Sequence, residues 1–137
     1  MADAFWMKVR EVDWTDYKTA SGDANGMPTV LKNLSSRKLP RATRASHQAW
    51  TCLCGGGELH SAIVPSIPLL IDIYKISKPE IQDGILEILD RAKKAVIEED
   101  WKVGLRNNLT RAIKTMERLR PPKDEITAAK LLAFLYD

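Results

Sequence analysis

The residues with the most chemistry in this 137-residue chain sit close together. The segment "HQAWTCLCGGGELH", residues 47–60, holds both cysteines (Cys52, Cys54), both histidines (His47, His60) and three consecutive glycines. A metal site would take Cys52, Cys54 and His60 as ligands, with only His47 left as a fourth. The C-x-C spacing is not that of a zinc knuckle, and on a helix the two thiols point to different sides. A phosphate cradle needs glycine amides that open onto a helix N-terminus, with a lysine and a hydroxyl following. "GGGELHS" has no lysine and no correctly placed Ser or Thr, and no strand precedes it. A cysteine nucleophile needs a base. His47 lies five residues before Cys52 and His60 six after Cys54. Local helix geometry pairs neither, so only a pairing through the fold stays open. A wide turn explains every odd residue without chemistry: glycines end one helix with positive φ, and Pro65 and Pro68 start the next. On this reading there is no metal, no cofactor and no catalytic residue.

Such a turn must sit between helices, and the flanking sequence supplies them. Val30, Leu31 and Leu34 follow Pro28 as the apolar side of a first helix. Ala42, Ala45, Ala49 and Leu53 recur at three- and four-residue steps after Pro40. Beyond the turn, Ile67, Leu70, Ile71 and Tyr74 mark a short helix, and "KISKP" a loop with Ser77 as a candidate N-cap. A longer helix from about Pro79 to Glu98 carries Ile81, Ile85, Ile88, Leu89, Ala92 and Val96. Another, from about Asp100 to Leu119 with Asp100 as cap, carries Leu105, Leu109, Ala112, Ile113 and Met116. The last, about Asp124 to Tyr136, has Ile126, Ala129, Leu132, Ala133 and Tyr136 on one face. Trp50 and Trp101 lie near helix ends and are expected as core anchors. Residues 1–27 are polar and turn-rich, yet Trp6, Trp14 and Tyr17 predict that they fold down as a leader over the first helices.

No stretch alternates with period two. The predicted class is all-α: stacked antiparallel helix pairs, a HEAT-like α-solenoid or a compact helical bundle of about six helices, forming a single domain over 1–137. Charged residues at 28% and hydrophobic ones at 45% suit a globular chain. No apolar run reaches the length of a membrane span. "MADAFWMKVREVDW" lacks the pattern of a signal peptide, and two cysteines so close read as reduced thiols, which together predict a cytoplasmic protein.

Some segments resemble a known family. "VDWTDYKTASGDANGMPTVLKNLSS", "WTCLCGGGELHSAIVPSIPLLIDI" and "ITAAKLLAFL" are similar to bacterial HEAT-like helical-repeat proteins. Asp13, Trp14, Tyr17, Ala20, Gly22, Ala24, Met27, Pro28 and Leu31 follow that family's N-terminal pattern in order. Gly57, Ala62, Ile67, Pro68 and Leu70 fit its later turn, where Gly55, Gly56 and His60 stand in place of its usual polar and tyrosine residues. The resemblance implies stacked helix pairs and the role of an immunity protein, which binds a cognate bacterial toxin directly and neutralises it.

The surface then carries the functional signal. Between Ala24 and Gly57 there is no acidic residue, while Lys32, Arg37, Lys38, Arg41 and Arg44 are basic. Arg111, Lys114 and Arg118 recur at helical spacing as a basic stripe. The helix before them is acidic: Glu80, Asp83, Glu87, Asp90, Glu98 and Glu99. Arg37, Lys38, Arg41, Arg111, Lys114 and Arg118 are therefore the candidate contacts for a partner protein with an acidic surface. Nucleic acid is the alternative acidic partner. The net charge of +3 and the interleaved acids, with no helix-turn-helix or aromatic–basic module, argue against it.

Overall fold

A computed structural model describes residues 2–94 and 100–136. Seven helices carry the described chain: α1 (Ala2–Glu11), α2 (Met27–Leu34), α3 (Leu39–Cys54), α4 (Ile63–Ile76), α5 (Pro79–Lys94), α6 (Asp100–Glu117) and α7 (Glu125–Tyr136). A two-stranded hairpin, Lys18–Thr19 against Gly22–Asp23, is the described sheet. The all-α class stands. The leader differs from its reading, because ten of its residues form α1. Trp14 is buried as expected, its Nε1–H donating to the Val9 carbonyl at 3.0 Å.

Most predicted stripes face the core. Ala42, Ala45, Ala49 and Leu53 of α3 are buried, as are Ile81, Ile85, Ile88, Leu89 and Ala92 of α5, and Leu105, Leu109, Ala112 and Met116 of α6. Val96, Glu98 and Glu99 lie outside the described residues, as do the side chains of Asp100 and Trp101. Helix α4 begins before Pro65 and continues through Pro68. Pro68 cannot donate to the Val64 carbonyl one turn back. Asn108 of α6 takes its place, its side-chain amide donating to that oxygen at 2.7 Å. A polar group freed by proline thus becomes a tie between helices. Ser77 ends α4 rather than starting α5: its N–H reaches the Tyr74 carbonyl and its hydroxyl the Ile73 carbonyl.

The helices alternate between two layers. α3 packs on α5 and α5 on α7, while α4 packs on α6 and touches α2. Within each layer neighbours run parallel. Ser46 of α3 meets Gly84 of α5, and further along Arg91 donates to the Gly57 carbonyl at 3.1 Å. A Cβ on Gly84 would overlap the Ser46 hydroxyl, so the glycine lets these helices approach closely. Lys130 of α7 reaches Asp83 and Glu87 of α5, and Lys93 donates to the Phe134 carbonyl. Successive helices are antiparallel, so the α2–α3, α4–α5 and α6–α7 connections share one rim. One continuous core runs from Val9 to Phe134. Among the described residues no helix is long and apolar enough to cross a membrane.

The last helix corrects its sequence reading. Thr127, Leu131 and Phe134 face inward, whereas Ile126, Leu132 and Tyr136 are exposed at 70%, 57% and 69%, with Ala129 and Ala133 exposed beside them. The helix is apolar on both sides, and only contact with α5 decides which side is buried.

Candidate functional surfaces

The cysteine–glycine stretch is built as a turn. α3 ends at Cys54, and Gly56 and Gly57 take φ of +75° and +78°, which L side chains rarely adopt. The leader is sewn to this turn by backbone bonds: Ala20 N–H to the Cys52 carbonyl (3.0 Å) and Ala62 N–H to the Lys18 carbonyl (2.9 Å). His60 Nε2 lies 2.8 Å from the Gly55 carbonyl, a contact made by the tautomer carrying its proton on Nε2. Burial pushes the Cys54 thiol up to about 11, against the weaker pull of Arg91, and burial also raises Cys52. Thiols held protonated are poor nucleophiles and ligands. Among the described residues no three His, Cys, Asp or Glu side chains are grouped so as to hold an ion.

The predicted basic residues are placed by the layer arrangement. Arg37 and Lys38 form the α2–α3 connection, and Arg41 lies in the first turn of α3. Arg118 follows the last residue of α6, so it shares their rim. All four are exposed. With α4 between α2 and α6, the rim is about 20 Å across, at roughly 10 Å per helix. Lys114 lies in the last turn of α6, at the edge of this rim, whereas Arg111 sits about a turn further along the helix and does not join it. Arg111 instead lines a groove of about 190 Å³ with Lys8, Asp72 and Lys75. There Asp72 already pairs with Lys8 at 3.0 Å and, more loosely, with Lys75 at 3.9 Å.

Sequence reasoning missed three rim cations: Lys78 in the α4–α5 connection, and Arg120 and Lys123 in the α6–α7 connection, all exposed. Every second inter-helix connection carries cations, a signal visible once helices are paired off. Glu80, Glu117, Asp124 and Glu125 temper the α4–α7 part of the rim. The α2–α3 corner has no carboxylate of its own.

The opposite sign gathers between α3 and α5. A groove of about 440 Å³ has Ser46, His47 and Trp50 on one wall and Glu80, Asp83 and Glu87 on the other. Trp50 was expected as a core anchor. It is 38% exposed because Ala49 and Leu53 take the inward positions of that turn. Lys130 enters from α7 and bonds Asp83 at 2.8 Å and Glu87 at 3.0 Å, which raises its pKa, mainly through the Asp83 contact. No known protein family matches the chain, and neither do any curated proteins or solved structures.

Proposed function

We propose that the protein is a non-enzymatic binding module that docks an acidic surface of a partner protein on its cationic rim, centred on Arg37, Lys38 and Arg41. The observation that carries this reading is the convergence of cations from three separate connections on one end of the stack. A rigid two-layer scaffold holds these side chains in a fixed array, which favours selection of a complementary surface and fast encounter with it. The resemblance to bacterial HEAT-like proteins gives the partner a class: a cognate toxin neutralised by direct binding in the cytoplasm.

The test is co-expression with the product of the neighbouring gene, followed by co-purification and a toxicity assay. The charge-reversed variant Arg37→Glu, Lys38→Glu, Arg41→Glu is expected to weaken binding by about tenfold or more at low salt. Arg111→Glu with Lys114→Glu is expected to weaken it less. Binding no tighter than that of an unrelated protein rejects the toxin partner, and unchanged binding by the triple variant rejects the rim. The same rim supports a nucleic-acid reading, which requires steeply salt-dependent binding to DNA or RNA. The absence of a mobility shift at low salt rejects that one.

A further inference from the structure

We propose that the groove shared by α1, α4 and α6 is a binding site for a small soluble phosphate monoester. Each of these helices brings one cation to it: Lys8 from α1, Lys75 from α4 and Arg111 from α6. They meet because α4 packs against both α1 and α6. One carboxylate, Asp72, lies among them. Its Oδ2 accepts from Lys8 at 3.0 Å, while Lys75 stays 3.9 Å from Oδ1, too far for a hydrogen bond. Arg111 makes no ion pair among the described residues. Its own helix offers it none, since residues 101–116 contain no Asp or Glu. Three cations around one carboxylate leave two positive charges in the groove without a partner.

That surplus selects the ligand. A phosphate monoester carries about 1.5 to 2 negative charges at neutral pH, which matches it, whereas a carboxylate supplies only one. The planar fork of Arg111 suits two phosphate oxygens at once, and Lys75 keeps ammonium donors for a third. Thr115, one turn beyond Arg111, adds a hydroxyl to the same wall. Asp72 holds Lys8 at the groove, and that pairing offsets its own charge. The lining is well anchored. Asn108 is bonded to the Val64 carbonyl at 2.7 Å, and Ile71 and Ala112 are buried. A volume of about 190 Å³ is smaller than that of a drug-sized pocket and suits a single phosphate group with a short tail. Arg37, Lys38 and Arg41, at the centre of the cationic rim, line none of this groove.

Titration of the full chain with inorganic phosphate and with glycerol phosphate, followed by amide NMR at fixed ionic strength, tests this. The amides of Asn108, Arg111 and Thr115 are expected to shift together and saturate, with a Kd of about 1 mM. Acetate at the same ionic strength should leave them unmoved. Arg111→Gln should weaken binding by about tenfold or more, and Lys75→Gln by a smaller factor. Both side chains are exposed, so the melting temperatures of these variants should match the parent's. Arg37→Gln with Lys38→Gln should bind phosphate like the parent. The absence of a saturable shift with either phosphate overturns the proposal. So does an equal response to acetate, or a rim variant as impaired as Arg111→Gln. No partner protein enters the measurement, so its failure and the failure of the rim reading are separate results.

Discussion

The two ends of the helix stack are finished in different ways. At the N-terminal end, α1 and the hairpin cover the first helices. Val9 and Trp14 are buried there, and backbone bonds sew Lys18 and Ala20 to the α3–α4 turn. Lys8 adds an ion pair to Asp72 of α4. At the other end, α6 and α7 are held to their layers by a few side-chain polar ties and one buried face each. Asn108 reaches Val64, Lys130 reaches two carboxylates, and Phe134 fills the core. Nothing among the described residues covers the outside of α7. A stack of helices is stable only where its outer faces are covered or polar. The closed end meets that condition within the chain, whereas at the open end Ile126, Leu132 and Tyr136 of α7 stay exposed.

The largest expected effect lies at the closed end. Trp14→Ala removes a buried indole and its hydrogen bond to Val9, and should cost about 3–5 kcal/mol in urea unfolding. A loss below about 1 kcal/mol would show that the leader is not part of the cooperative unit. Next comes the tie at the open end. Asn108→Leu leaves the Val64 carbonyl without its partner and should cost about 1–3 kcal/mol. An unchanged transition midpoint would mean that water serves that oxygen equally well.

Smaller again is Lys130→Met. Its ion pairs are partly exposed, so the loss should stay under about 1 kcal/mol and shrink as salt rises. A large, salt-insensitive loss would instead assign Lys130 a packing role. The smallest effect concerns Asp124, which caps α7 by accepting from the backbone N–H and the hydroxyl of Thr127, both at 2.9 Å. These bonds, the backbone one first, lower its pKa. A depressed carboxyl stabilises the fold above its unfolded pKa and loses that contribution as pH falls through the folded value. Thermal melts of Asp124→Asn should therefore lack part of the acid-side decline of the parent. Parallel acid limbs would remove Asp124 from the pH response.

A contrast of charge accompanies the contrast of ends. The cationic rim is made by connections, and the acidic groove by the exposed side of α5 facing Trp50. The cations Arg37, Lys38 and Arg41 were legible in the sequence as a run without acids. Their alignment with Arg118 was not, because it depends on α2 and α6 lying in one layer. The split between Arg118 on the rim and Arg111 in a side groove was equally hidden. A stripe at helical spacing states which residues share a helix face, not which neighbour reaches that face. Trp50 was misread for the same reason: a large aromatic near a helix end suggests burial until the smaller Ala49 and Leu53 are seen to occupy the core.

The sequence by itself determined the helices, most of their buried sides, and the turn at Gly55–Gly57, because 3.6-residue periodicity, proline starts and positive-φ glycines are local physics. α1 escaped it, since no proline marks its start as Pro28 marks that of the shorter α2. Only the tertiary structure decided which face of α7 points inward and which cations share an edge. Both depend on what packs against a helix from far along the chain, and a helix apolar on two sides holds no local preference between them.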